Sequence, residues 1–285
     1  MTWKMIMRLG VMVVATISIA CGCFPRQSPE RLKKYTSIDD ALKNAQQAQF
    51  VCLDNDGLTQ IPVADLMKLP NLVKLSLRKN RFDAVSPDIQ GLKGVIRMDL
   101  SQSGIKGIPD SLGKLGNLKH LYLSDNELTR LPAGIGGLTS LEYLNLDRNK
   151  LTGLPVEIGG VTGLKWLRLN ANQITALPAE IGKLVNMQRI YLENNKLKDL
   201  PVDFGKLSKL TDLDLRANEL DVLPVCVLQL QNLVRLDLDG NRLVTIPDGL
   251  AKLPGLKTLG LQNNRLSDEE KNRIEKLLPD CQIIF

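Results

Sequence analysis

The sequence predicts an α/β solenoid, and three observations predict it. A block of 23 residues recurs along most of the chain, each block carries a Leu-x-Leu step, and an asparagine returns at one position just after that step. Aligned on L-x-x-L-x-L-x-x-N-x-L-x-x-L-P, the first position falls at Leu72, Val95, Leu118, Leu141, Leu164, Met187, Leu210, Leu233 and Leu256, always 23 residues apart. A weaker copy begins near Ala48, with Val51, Leu53, Leu58 and Ile61-Pro62 in register, which makes about ten turns over residues 48–266. The chain of 285 residues is 44% apolar but only 4% aromatic, so leucine must carry the core.

The amino terminus stands apart. Lys4 and Arg8 precede an apolar run of 12 residues from Leu9 to Ala20, which reads as a secretory signal over residues 1–20. That run falls short of the roughly 20 residues a membrane-spanning helix needs. Ser18-Ile19-Ala20-Cys21 resembles the lipobox of bacterial lipoproteins, although Ser18 stands where that family usually has leucine. The resemblance implies cleavage before Cys21 and acylation of its thiol; cleavage near Ala20 without acylation, and acylation at Cys23, are the alternatives. Residues 21–36 contain Pro25, Pro29, Gln27 and Ser28 without apolar periodicity and are expected to be a short lipid-anchored linker.

Residues 37–47 are expected to form an amino-terminal cap helix. Ser37 and Asp40 have capping-box spacing, and Ile38, Ala41, Leu42 and Ala45 share one helical face. Within each repeat the Leu-x-Leu step has the period of a strand, and one strand per turn stacks into a parallel sheet at about 4.8 Å spacing. Leu141, Leu144, Leu146, Leu151, Leu154, Ile158 and Val161 are the apolar set that one coil turns inward. A lone coil cannot bury them, so stability accrues between neighbouring coils, each buried leucine contributing roughly 1.5–3 kcal/mol.

Asn80, Asn126, Asn149, Asn172, Asn195, Asn218, Asn241 and Asn264 recur where the chain bends, and are expected to satisfy backbone groups of adjacent turns. Pro109, Pro132, Pro155, Pro178, Pro201, Pro224 and Pro247 lack an N–H and suit the irregular side opposite the sheet. Ser86-Pro87 shifts this proline by one residue, which predicts a local irregularity. At the carboxyl end Ser267 and Glu270 repeat the capping spacing ahead of Ile274, Leu277 and Leu278, and Gln282 to Phe285 reads as a closing strand, so residues 267–285 are expected to form a helix–strand cap.

Over residues 48–285 this pattern resembles the leucine-rich-repeat family. The element Leu131-Pro132 to Ile135-Gly136, repeated as Leu177-Pro178 to Ile181-Gly182, looks like its 23-residue class. The resemblance implies a right-handed horseshoe whose parallel sheet lines a concave face.

Function must be read from the side chains that the repeat leaves free. The residue before the second core leucine runs Phe50, Lys74, Arg97, His120, Tyr143, Trp166, Arg189, Asp212, Arg235, Thr258; the residue after it runs Cys52, Ser76, Asp99, Tyr122, Asn145, Arg168, Tyr191, Asp214, Asp237, Gly260. Every Tyr and Trp of the repeats (Tyr122, Tyr143, Trp166, Tyr191) falls in these two columns on four consecutive turns, beside His120, Arg97, Arg168 and Arg189. These residue types dominate binding hot spots, because they bury large area with few rotors and keep a polar handle. A protein partner on the concave face is therefore expected, with simple lateral packing of the aromatics as the competing reading.

Asp214 and Asp237 are expected to be lateral neighbours, near Asp212 and Asp239, which raises acid–base or cation-binding chemistry. The runs Arg189, Asp212, Arg235 and Glu193, Arg216, Asp239 alternate in sign, which points to cross-strand pairing instead. With His120 the only histidine, no metal-spaced Cys/His set and no phosphate loop, neither catalysis nor a cofactor or metal is expected. A net charge of +6, or +4 once Lys4 and Arg8 leave with residues 1–20, and the lack of a recognition motif argue against nucleic acid. Cys52, Cys226 and Cys281 imply no disulfide framework. The expectation is an exported, monomeric, lipid-anchored protein of the cell envelope, on the periplasmic side or the cell surface. A carbohydrate or peptidoglycan ligand, or a structural role without a defined ligand, are the alternatives.

Overall fold

The computed structural model describes residues 32–285. The expected signal segment, Cys21 and the linker up to residue 31 lie outside the described residues. No described helix is long and apolar enough to cross a membrane.

Among the described residues, twelve strands form one parallel sheet in strict sequence order: β1 (Lys34–Tyr35), β2 (Phe50–Cys52), β3 (Lys74–Ser76), β4 (Arg97–Asp99), β5 (His120–Tyr122), β6 (Tyr143–Asn145), β7 (Trp166–Arg168), β8 (Arg189–Tyr191), β9 (Asp212–Asp214), β10 (Arg235–Asp237), β11 (Thr258–Gly260) and β12 (Gln282–Ile284). The architecture is a leucine-rich-repeat solenoid. Each turn places one three-residue strand beside the last without slippage, so Lys74, Arg97, His120, Tyr143, Trp166, Arg189 and Asp212 are successive register partners. The central residue of each strand points inward, and Leu144, Leu167 and Ile190 have no exposed surface. Of the seven apolar residues expected to turn inward in one coil, six are fully buried and Leu154 is 9% exposed.

The asparagines form the expected internal ladder. Asn126 Nδ2 donates to the carbonyls of Leu100 and Leu123, both at 3.0 Å, while its Oδ1 accepts from the N–H groups of Ser103 at 3.1 Å and Ile105 at 3.0 Å. One amide thus serves backbone groups on two successive turns that would otherwise be buried unpaired. Ser103 breaks the ladder. Its shorter side chain still donates from Oγ to the Leu77 carbonyl at 3.2 Å and accepts from the Asn80 N–H at 3.3 Å, but the Phe82 N–H turns to the Ser103 backbone carbonyl at 2.8 Å. An extra bridge between Ala84 and Gly107 marks the irregular turn that Ser86-Pro87 predicts.

The residue just before each ladder position is left-handed: Asp125, Arg148, Ala171, Asn194 and Ala217 have φ between 50 and 58°, and Gly240 has φ 69°. This column turns each chain sharply out of the sheet, a conformation that costs most residues other than glycine.

Among the described residues, α2 (Val63–Leu66) lies opposite the sheet in the first turn, followed by eight five-residue 3₁₀ helices, from Pro87–Gly91 to Asp248–Lys252. In seven of them the repeat proline sits just ahead of the first helical residue, as Pro132 does at φ −73°, so the ring that cannot donate a backbone bond starts the turn.

The ends differ in detail from the sequence reading. Lys34 and Tyr35, assigned to the linker, pair with Phe50 and Val51, because Tyr35 is 1% exposed and helps cover the first coil. Helix α1 (Ile38–Lys43) starts at the expected Ser37, whose Oγ accepts from the Asp40 N–H at 3.3 Å, but ends early, where Asn44 Nδ2 donates to the Asp40 carbonyl at 2.8 Å. At α3 (Asp268–Leu277) Ser267 likewise accepts from the Glu270 N–H at 3.2 Å. The Glu270 carboxylate does not reach back to Ser267; it accepts from Thr245 Oγ1 at 2.8 Å and the Ile246 N–H at 2.9 Å and pairs with Arg273, tying the helix to the last repeat. Arg273 holds the Glu270 carboxyl down at about 2. Cys52, Cys226 and Cys281 are all free thiols.

Candidate partner-binding face

All eight expected partner-binding residues lie on the outward side of five adjacent strands, β4 to β8. They form a connected ladder. The Tyr122 and Tyr143 rings are 5.0 Å apart between centroids, Tyr143 and Trp166 6.0 Å, and His120 and Tyr143 6.3 Å, all tilted. Guanidinium groups cover the outer rings: Arg97 lies 4.5 Å over Tyr122, Arg189 4.5 Å over Trp166, and Arg168 5.2 Å over Tyr191. Rings separated by 4.5–7 Å and cations within about 6 Å of a ring are mutually stabilising.

This packing corrects one expectation. Tyr143, read as an exposed contact, is only 8% exposed, because Tyr122, Trp166 and His120 close around it. Burial pushes its phenol up to about 12. Burial likewise raises Tyr122, partly offset by Arg97, and lowers His120, with Arg97 adding to the effect, so His120 is neutral near pH 7. Lateral packing and surface display thus coexist: Tyr143 is the packed centre, while Trp166, Tyr122 and Tyr191 keep part of their surface in solvent.

Arg168 is also less free than its column implies. Its Nε donates to Asp147 Oδ2 at 2.6 Å, and Asp147, at 1% exposure, is buried; its other oxygen accepts from the Asn170 N–H at 2.8 Å. The sequence reading missed Asp147. The signal was available, since Asp147 lies two residues past its strand in the same column as Glu193, Arg216 and Asp239.

Farther along the sheet the expected cross-strand pairing is present but uneven. Arg189 and Asp212 approach to 3.6 Å. Arg216 alone serves three carboxylates: Asp214 at 2.8 Å, Glu193 at 2.9 Å and Asp237 at 3.4 Å. Asp239 accepts from the Gln262 N–H at 2.7 Å. Burial, then the neighbouring Asp239 and Asp214 charges, push Asp237 up to about 6, against the pull of Arg216. Gly260 makes room for this group, since a Cβ there would stand 2.5 Å from Asp237 Oδ1 and 2.8 Å from Asp239 Oδ1. Among the described residues no set of three or more acidic, His or Cys side chains has metal-holding geometry.

The repeat matches known families directly. The leucine-rich repeat region family model matches residues 180–278, and the leucine rich repeat model residues 95–151. The chain belongs to the leucine-rich-repeat family. A leucine-rich-repeat protein of Leptospira interrogans superposes with TM-score 0.61 at 22% identity, over 89% of this chain and 100% of that one. The functional domain of InlJ from Listeria monocytogenes gives 0.67 at 21%, over 82% and 48%. The ectodomain of the Arabidopsis thaliana receptor kinase GASSHO1/SCHENGEN3, solved in complex with Casparian strip integrity factor 2, gives 0.61 at 29%. That last match covers 73% of this leucine-rich-repeat chain and 26% of the receptor. A search of curated protein sequences returns no match.

Proposed function

We propose that this leucine-rich-repeat protein is exported, anchored through acylated Cys21 in the cell envelope, and captures a protein partner on its concave sheet face without catalysing a reaction. The observation that carries the reading is the ladder of aromatic rings and guanidinium groups across β4 to β8. It is built rigidly, around the buried Tyr143, and displays Trp166, Tyr191, Arg97 and Arg189 at its surface. A preorganised aromatic and arginine surface binds with little further loss of conformational freedom. The likeness to a receptor ectodomain solved with a bound protein factor supports this use of the fold.

A carbohydrate ligand fits less well. Sugar stacking needs an open ring face, and the Tyr122, Trp166 and Tyr191 rings each have a guanidinium over them. A photo-crosslinking residue in place of Tyr191 should trap an envelope or host protein, while the same residue in place of Val202, which is 70% exposed on the opposite side, should not. Equal trapping at both positions would contradict the assignment. For the anchor, Cys21→Ser should move the protein from the membrane to the soluble fraction and abolish labelling by a radioactive fatty acid.

A further inference from the structure

The two ends of the sheet face carry an excess of opposite charge, although Asp99 lies within the basic end and Arg235 within the acidic one. Lys74 and Arg97 are register partners on β3 and β4, and among the described residues neither has a carboxylate at ion-pair distance. Each rests on a ring instead, Lys74 4.0 Å over Phe50 and Arg97 4.5 Å over Tyr122. Burial, then the Arg97 charge, pulls the Lys74 ammonium down. At the other end Asp214 and Asp237 are register partners on β9 and β10, Asp239 follows, and Arg216 is shared among more carboxylates than it can neutralise. Like charges are therefore crowded at both ends, with opposite sign, and the aromatic ladder lies between them.

Six strand steps separate Arg97 on β4 from Asp237 on β10, about 29 Å at the usual spacing and the span of about nine extended residues. We propose that the face takes an extended polypeptide segment of about nine residues lying across the strands, with carboxylate side chains over Lys74 and Arg97, apolar or aromatic side chains over the ladder, and Lys or Arg over Asp214, Asp237 and Asp239. This rests on the partner-binding reading of the same face and adds the charge order of the ligand. Such complementarity orients the segment and steers its approach, and it weakens with salt.

The test uses the purified protein and fluorescently labelled nine-residue peptides read by anisotropy. One peptide has two Asp at one end, five apolar and aromatic residues, and two Lys at the other; a second has the same composition with the charges alternating. The first should bind about tenfold more tightly at low salt, and raising the salt to about 0.5 M should remove most of that preference. Lys74→Glu/Arg97→Glu should switch the preference to a peptide with Lys at both ends, while its melting temperature verifies the fold. Equal affinity for the two peptides, or no binding of either, overturns the proposal. If both bind equally and Trp166→Ala/Tyr191→Ala loses both, the face remains a binding face and only the charge order fails. Self-association in sedimentation, abolished by Lys74→Glu/Arg97→Glu, would assign the face to a second copy of the chain and overturn it as well.

Discussion

The strands β4 to β8 and the strands β9 to β11 share one sheet, one register and one repeat, yet they settle their outward side chains in opposite ways. The first region interlocks rings and guanidinium groups until Tyr143 is buried. The second crowds carboxylates around Arg216 and leaves Asp237 protonating near pH 6. An aromatic cluster gains stability from its own crowding, whereas a like-charge cluster loses it. The first region is therefore a rigid platform and the second a reservoir of charge.

The largest effect should come from the centre of the platform. Tyr143→Ala removes a buried ring and should cost about 3 kcal/mol in urea unfolding, whereas Trp166→Ala, at a partly exposed position, should cost about 1 kcal/mol. Equal costs would erase the distinction between packed centre and displayed rim. Arg168→Ala comes next. It strands the buried Asp147 carboxylate and should cost about 2–3 kcal/mol, most of which Arg168→Ala/Asp147→Asn should recover. Failure of the second change to rescue would show that Arg168 acts through its stack on Tyr191 instead.

In the acidic region the sign reverses. Asp237 binds its proton more tightly folded, near pH 6, than unfolded, near 3.8. Its contribution to stability is therefore complete below about pH 3.8 and is lost as the pH rises through 6. Asp237→Asn should raise stability by about 1 kcal/mol at pH 7, after allowance for solvent screening, and flatten the pH dependence between about 4 and 6. The smallest effect tests the shared scaffold: Ala217→Gly relieves a left-handed residue at φ 50° and should be worth at most about 0.5 kcal/mol, since glycine also loosens the unfolded chain.

The fold and the face were legible in the sequence to different depths. Strand register could be written down residue by residue, because an unbroken 23-residue interval leaves no freedom for slippage. The columns holding Trp166 and Asp237 followed directly from it. What the columns could not show is how far a side chain reaches sideways. Tyr143 and Tyr122 belong to different columns and meet only because adjacent strands bring their rings to 5.0 Å. Asp147 escaped notice because it lies past the strand, where its burial depends on Arg168 folding over it. The first strand at Lys34–Tyr35 has too few residues to display any period. The 3₁₀ helices carry no periodicity of their own either, and the repeat proline marks only where they start.

The account turns on the displayed rim of the platform being the binding surface and its buried centre being the support. Affinity capture from envelope and host extracts with the natural protein and with Trp166→Ala/Tyr191→Ala, each checked for its melting temperature, tests this most directly. The account predicts that the variant stays folded and retains less than about a tenth of the captured partner, as loss of two aromatic hot-spot residues implies. A folded variant that captures the same partner in undiminished amount would contradict it.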